Sequence, residues 1–115
     1  MNAAVEPTET HMVCKVSDLI QNSGVCALIG STQIAIFYLP KETPSVYAIS
    51  NWDPIGEANV MSRGIVGDIK GKLVVASPLY KQHFDLATGD CIEDSEKSVV
   101  CYKVSIDGDN VLITL

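Results

Sequence analysis

Short apolar runs, each bounded by Gly, Pro, Asp or Asn, recur along the whole chain. Runs of this length between turn residues are typical of β-strands, and about nine or ten of them can be counted, with almost no helical periodicity. The clearest runs cover residues 25–29, 33–38, 46–50, 72–76 and 100–106. The pattern therefore predicts an all-β domain built as a small sandwich or barrel.

Two runs have patterns that predict more detail. Residues 25–29 and 33–38 flank a Gly30-Ser31-Thr32 turn, which predicts a β-hairpin. The second arm is nearly continuous in apolar residues, as in a strand that is covered on both faces.

Short helical turns are expected at two places. Ser17 is a candidate N-cap for one short turn, and a second helical turn is expected around residues 58–61, in the least strand-like part of the chain.

Length and charge exclude several classes of function. The 115 residues make one domain, with residues 1–11 expected to be a disordered tail and residues 12–115 the folded part. The net charge of −6 argues against nucleic-acid binding, which needs a basic surface. No run approaches the ~20 apolar residues of a membrane span. The first ten residues lack the features of a secretory signal, so we expect a cytoplasmic protein.

Two proline-containing loops lie at the centre of the chain, Asp53-Pro54-Ile55 and Ser77-Pro78-Leu79-Tyr80. Each follows an apolar, strand-like run, and the second is followed by the turn sequence Phe84-Asp85-Leu86-Ala87-Thr88-Gly89. In these features the chain resembles the Rieske fold, in which a Cys-Pro-His loop and a Cys-Pro-x-His loop hold a [2Fe-2S] cluster. The resemblance implies a small β-sandwich or barrel with an inserted subdomain like the one that binds the cluster. Lys81 and Gln82 depart from the Gly and aromatic residue of that family.

The positions of the four cluster ligands hold other residues here, namely Asp53, Ile55, Ser77 and Tyr80. A Rieske centre needs two thiolates and two imidazoles. Carboxylate, hydroxyl and phenol oxygens are poor substitutes, because iron–sulfur clusters favour soft sulfur donors. We therefore predict a Rieske-like fold that binds no cluster and holds no metal in this chain.

Further motifs resemble one branch of these proteins, the small subunits of assimilatory NAD(P)H-dependent nitrite reductases. The resemblance extends from about Met12 to the C-terminus and is carried by Val25-Cys26-Ala27-Leu28, Gln33-Ile34-Ala35-Ile36-Phe37, Ala48-Ile49-Ser50-Asn51, Ser62-Arg63-Gly64, Val75-Ala76-Ser77-Pro78-Leu79 and Asp90-Cys91-Ile92-Glu93-Asp94. It implies a non-catalytic subunit whose large partner carries FAD, a [4Fe-4S] cluster and sirohaem and reduces nitrite to ammonium in nitrate assimilation. No catalytic residue is expected in this chain.

The resemblance also implies which residues contact the partner. Trp52, Ile55, Leu79 and Tyr80 would lie at the tip of the two loops, with Arg63 and Lys81 at the rim. Trp, Tyr and Arg are frequent anchors of interfaces. The same four apolar side chains could instead pack together and fill the space of a cluster, and the two interpretations are compatible.

Other candidate chemistry has weaker support in the sequence. Asp53 and Asp85 could form a carboxylate pair, but nothing indicates a pocket or opposed pKa values. Cys26 and Cys101 lie in apolar runs and are expected to behave as small hydrophobic residues. Two alternatives remain open: a ferredoxin-like electron carrier with a cluster on Cys91, Cys101, His83 and an oxygen, and a stand-alone protein-interaction adaptor.

Overall fold

A computed structural model describes residues 9–115, which form eleven β-strands and two single 3-10 turns. The all-β prediction is therefore confirmed. No helix in this part of the chain has the length and hydrophobicity needed to cross a membrane. The strands are β1 (Thr10–Lys15), β2 (Ser23–Ile29), β3 (Thr32–Tyr38), β4 (Val46–Ser50), β5 (Trp52–Asp53), β6 (Ala58–Asn59), β7 (Ile65–Ile69), β8 (Lys72–Ala76), β9 (His83–Asp85), β10 (Cys101–Asp107) and β11 (Asn110–Thr114).

The strands form one large antiparallel sheet and two small ones. The large sheet has the order β1-β11-β10-β4-β3-β2, and the small sheets are β5-β6 and β7-β8-β9. β4 and β10 are neighbours in the large sheet although β5 to β9 lie between them in sequence. The strands from β5 to β9 are therefore an insertion into the β-sandwich or barrel, as the resemblance to the Rieske fold implies.

β3 separates two hydrophobic clusters because its side chains alternate between the two faces of the sheet. Ile34 and Ile36 pack with Val111 and Ile113 on one face. Ala35 and Phe37 pack on the other face with residues of the insertion, including Met61, Val75 and Phe84. Residues 34–37 are all buried, which confirms the prediction of a strand covered on both faces. The second cluster attaches the insertion to the large sheet, and burial of each large side chain in it contributes about 1.5–3 kcal/mol.

The structure differs from the sequence prediction at three local boundaries. β1 begins at Thr10, two residues before the expected boundary, because residues 10 and 11 pair with β11. The remainder of the proposed tail, residues 1–8, lies outside the described residues, so its disorder stays a prediction. Ser17 is not an N-cap, since the turn Val16–Asp18 begins after Lys15, whose N–H donates to the Asp18 carboxylate at 2.9 Å. The second turn is Met61–Arg63 rather than 58–61.

Candidate functional site

The two proline loops have the same backbone construction. In each, the N–H of the fifth residue donates to the C=O of the first, Glu57 to Asp53 at 2.7 Å and Lys81 to Ser77 at 3.0 Å. The fifth residue adopts a left-handed backbone in both loops, with φ of 57° at Glu57 and 62° at Lys81. Non-glycine residues seldom adopt this conformation, so the loops share a constrained shape. They differ in that the closing residue is acidic in one and basic in the other.

A buried hydrogen bond joins the two loops at their first residues. Asp53 and Ser77 are almost inaccessible to solvent, and the Ser77 hydroxyl donates to Oδ2 of Asp53. The other carboxylate oxygen, Oδ1, accepts the backbone N–H groups of Ile55 at 2.8 Å and Gly56 at 3.0 Å. By the resemblance to the Rieske fold, these two residues are predicted to correspond to the cysteine positions of that family. Here their side chains bond to each other and to their own loops.

Apolar packing joins the loops a second time. A Cβ atom at Gly56 would clash with the side chain of Leu79, so Leu79 lies directly against the backbone of the first loop. Ile55 is half-buried and packs against the hydrophobic cluster of the insertion. Ile55 therefore points toward the protein rather than away from it, as in the space-filling interpretation.

Three of the predicted contact residues are exposed on the tip. The exposed fraction is 45% for Trp52, 45% for Leu79 and 65% for Tyr80. Arg63, in the second 3-10 turn, and Lys81, at the end of the second loop, are exposed as well. We call Trp52, Leu79 and Tyr80 the tip patch. Because these side chains are not packed into the core, filling the space of a cluster does not account for them.

Asn51 supports the first loop, a role that the sequence analysis did not assign. Its side-chain amide donates to Oε1 of Gln33 at 3.0 Å, and its side-chain oxygen accepts the N–H of Ser62 at 2.7 Å. Its backbone groups bond to Gln33 and Met61, each at 3.0 Å. One buried residue thus links β3, the start of the first loop and the second 3-10 turn. An amide that follows an apolar strand directly was the only sequence clue.

The carboxylate of Asp85 stabilises the turn after the second loop. It accepts the N–H groups of Ala87 at 2.8 Å and Thr88 at 3.2 Å. Gly89 completes the turn at φ 85°, where a Cβ atom would clash with the carbonyl oxygen of Val99. This confirms the predicted turn over residues 84–89. The Asp85 side chain bonds to its own turn and Asp53 to its own loop and Ser77, so the two form no hydrogen-bonded acid–base pair.

His83 lies next to the second loop and is held by an acidic side chain. Its Nδ1 is 2.5 Å from Oε2 of Glu93, and its backbone N–H donates to Oε1 of Glu93 at 2.7 Å. Partial burial raises the pKa of Glu93, but the hydrogen bonds and charge of His83 outweigh it and leave that pKa below its ordinary value. The imidazole is thereby fixed in orientation by a carboxylate.

The thiols do not form a metal site in the described part of the chain. All four cysteines are free. Cys26 and Cys101 are exposed, so the expectation that both pack as hydrophobic residues is wrong. Partial burial raises the pKa of the Cys91 and Cys101 thiols, with Asp85 and Asp90 adding to the shift at Cys101. A raised pKa disfavours the thiolate that a cluster requires.

The residues at the loop positions do not fit a [2Fe-2S] cluster. Asp53 and Ser77 are in hydrogen-bond contact with each other, Ile55 has no donor atom, and Tyr80 points a phenol toward solvent. No group of three or more His, Cys, Asp or Glu side chains suited to a metal occurs within residues 9–115. The alternative set of Cys91, Cys101 and His83 is therefore not brought together as a metal site either.

Comparisons with known proteins agree with the fold. Residues 10–114 match the model of the Rieske-like [2Fe-2S] domain. The chain is 47% identical to the nitrite reductase (NADH) small subunit of Escherichia coli strain K12 over 94 residues, which is 82% of this chain and 86% of the relative. The solution structure of the E. coli protein NirD superimposes with a TM-score of 0.85 at 40% identity, covering 95% of this chain and 98% of that one.

A further relative differs in its domain arrangement. The nitrite reductase [NAD(P)H] large subunit of Klebsiella oxytoca is 37% identical over 101 residues, which is 88% of this chain but 10% of that protein. A segment similar to most of this chain is therefore part of a much longer polypeptide in that relative.

Proposed function

The chain belongs to the Rieske-like [2Fe-2S] domain family and, within it, to the small subunits of NADH-dependent nitrite reductase, and from this membership we propose that it assembles with a catalytic large subunit through its loop tip. In this proposal the small subunit does not itself carry electrons. It forms a structural surface that the large subunit needs for assembly or stability.

The observation that carries the proposal is the tip patch on top of a locked loop pair. Two loops joined by a buried hydrogen bond form a rigid support, and Trp52, Leu79 and Tyr80 extend from it into solvent. Exposed aromatic residues on rigid elements are the usual anchors of protein interfaces. Arg63 and Lys81 are exposed, and in this proposal they add polar contacts at the rim of the patch. Ile55 contributes from below by fixing the first loop against the core.

The Klebsiella relative supports the choice of partner. There, a segment 37% identical to this chain is part of a polypeptide named a large subunit. Covalent linkage holds two domains at an effective concentration in the millimolar range, which favours contacts between them. We therefore expect a domain that is fused to a large subunit in one protein to bind the large subunit as a separate chain in another.

The chemistry is assigned to the large subunit. We propose that FAD, a [4Fe-4S] cluster and sirohaem reside there, and that nitrite is reduced to ammonium with electrons from NAD(P)H. The buried Asp53–Ser77 hydrogen bond supports this division, because it occupies the positions where a Rieske domain would carry its own redox centre. We place the complex in the cytoplasm, since exposed free thiols such as Cys26 and Cys101 persist in a reducing compartment.

The proposal is tested by measuring the affinity between this chain and the purified large subunit by titration calorimetry. Trp52→Ala and Tyr80→Ala should each weaken binding by about 1–3 kcal/mol if they are anchors. Ile106→Ala is the matched control, because Ile106 is an exposed hydrophobic residue on the large sheet, in the β10–β11 hairpin. Unchanged affinity for both tip variants would reject docking through the tip.

A further inference from the structure

A groove of about 410 Å³ runs beside the second loop and is not part of the tip patch. Its apolar wall includes Ile65 at the start of β7 and Pro78 in the loop. Three side chains that can carry positive charge also line it, those of Arg63, Lys81 and His83. The three come from different elements, the second 3-10 turn, the end of the second loop and the start of β9. The fold thus brings them together from separate parts of the sequence.

The charge of this groove is opposite to that of the protein as a whole. The chain has 14 acidic residues against 8 Lys and Arg, and Arg63 is its single arginine. No Asp or Glu is among the residues that line the groove. Two acidic side chains contact lining residues, and both are engaged: the buried Asp53 accepts the Ser77 hydroxyl, and Glu93 is bound by the backbone and the ring of His83. A local positive potential on an acidic surface is a means of selecting a negatively charged partner.

The backbone at Lys81 indicates that its side chain serves more than the fold. Its φ of 62° is a conformation that glycine adopts without strain and lysine does not. Residues held in such conformations are frequent at binding sites, where the surrounding structure compensates for the strain. Lysine at this position therefore favours a function for its side chain, and Lys81 is one of the residues that line the groove.

The apolar wall adds a second requirement for the partner. Ile65 is 77% exposed, which makes it the most exposed of the large hydrophobic side chains in the described part of the chain. It lies two residues after Arg63, so a partner that reaches one also reaches the other. Such a pairing suits a ligand that combines carboxylates with an apolar side chain, and a small inorganic anion would leave Ile65 exposed.

We propose that this groove binds an acidic, extended segment of the large subunit, with a carboxylate on Arg63, a second on Lys81, and an apolar side chain between Ile65 and Pro78. This inference rests on the proposed function and deepens it, because the groove adjoins the tip patch through the second loop. Arginine suits the first contact since its planar guanidinium binds a carboxylate through two parallel hydrogen bonds.

The test measures the dissociation constant for the purified large subunit at several salt concentrations. Arg63→Glu should weaken binding at least tenfold at low salt, and the affinity of the wild-type complex should fall as salt rises while that of the variant changes less. Lys103→Glu, a charge reversal at an exposed position of β10, is the matched control and should change the dissociation constant less than twofold. Lys81→Gly should weaken binding at least threefold while the isolated chain unfolds at the same or higher urea concentration.

The outcomes separate this inference from the docking proposal. Equal effects of Arg63→Glu and Lys103→Glu would show that only net charge matters and would overturn the groove. Weakening by Trp52→Ala without weakening by Arg63→Glu would also overturn the groove while leaving the tip in place. If the wild-type chain does not bind the large subunit at all, both proposals fail. Urea unfolding of each isolated variant ensures that a loss of binding is not a loss of fold.

Discussion

Ser77→Ala tests directly whether the hydrogen bond between the loops holds the insertion together. The substitution removes one hydroxyl from a side chain that is 1% exposed and leaves the buried carboxylate of Asp53 without its donor from the second loop. Hydrogen bonds to charged groups contribute about 1.5–3 kcal/mol, and a buried acceptor without a partner costs a similar amount. We therefore expect the free energy of unfolding to fall by about 1.5–3 kcal/mol. The shift in Tm should be roughly 5–10 °C in a domain of this size.

The assay is urea unfolding followed by circular dichroism and by fluorescence. Trp52, the single tryptophan, directly precedes Asp53, so its emission reports on the first loop. Ser105→Ala is the control, because Ser105 is exposed on β10, and it should change stability by no more than about 0.5 kcal/mol. A cycle with Asp53→Ala and the double variant should give a coupling energy of about 1–2 kcal/mol, within the range for residues in direct contact. A Ser77→Ala variant as stable as the control, or a coupling near zero, would refute the argument.

Three further substitutions test the surrounding geometry. Gly89→Ala should destabilise the fold by at least about 2 kcal/mol, because a Cβ atom at φ 85° adds backbone strain and clashes with Val99; urea unfolding within about 0.5 kcal/mol of wild type would contradict the turn. Lys81→Gly should raise the free energy of unfolding by up to about 1 kcal/mol. The substitution relieves the strain of the left-handed backbone, and part of this gain is offset because glycine increases the conformational entropy of the unfolded chain. Glu93→Gln should cost less than about 1 kcal/mol at neutral pH, because the pair is partly exposed. The pKa of Glu93 is lowered in the fold, so this stabilisation should be present at pH values above the ordinary pKa of 4.5 and should disappear as the pH falls through the folded-state pKa. A stability difference between Glu93→Gln and wild type that does not change with pH would exclude the ion pair.

Local patterns were sufficient to predict much of the fold. The hairpin of β2 and β3 follows from two apolar runs around Gly30, which takes a φ of 61° in the turn. The bounds of β4 and β8 also match the apolar runs at residues 46–50 and 72–76, because each strand is short and is followed directly by turn residues. The burial of β3 on both faces follows from its nearly continuous apolar sequence. In each case the determining interactions lie within about ten residues of each other, as is typical of the patterns that a single sequence reveals.

The site depends on contacts that local patterns do not contain. The Asp53–Ser77 hydrogen bond joins residues 24 positions apart, and the sequence gives no indication that a carboxylate and a hydroxyl would face each other. The His83–Glu93 contact likewise depends on how the chain after β9 folds back. The exposure of Cys26 and Cys101 has a related cause, since a run of apolar residues does not indicate which face of a strand is left uncovered.

The resemblance to the Rieske family placed the residues that pattern alone could not. It predicts that Trp52, Leu79 and Tyr80 lie at one tip, and the structure shows that all three side chains are exposed. It did not predict that Ile55 turns inward, because that orientation is set by packing against the core of this particular chain. The groove lined by Arg63, Lys81 and His83 had no counterpart in the sequence analysis, apart from the two cations expected at the rim.

The central claim is that a hydrogen bond between side-chain oxygens stands where a Rieske domain holds iron. It is tested most directly by determining iron and acid-labile sulfide in the chain after anaerobic purification and incubation with ferrous iron and sulfide. We expect less than about one-tenth of an equivalent of iron and no visible absorption band, because Asp53, Ile55, Ser77 and Tyr80 offer no sulfur or imidazole ligand. Two equivalents each of iron and sulfide, retained after desalting with a [2Fe-2S] spectrum, would contradict the account.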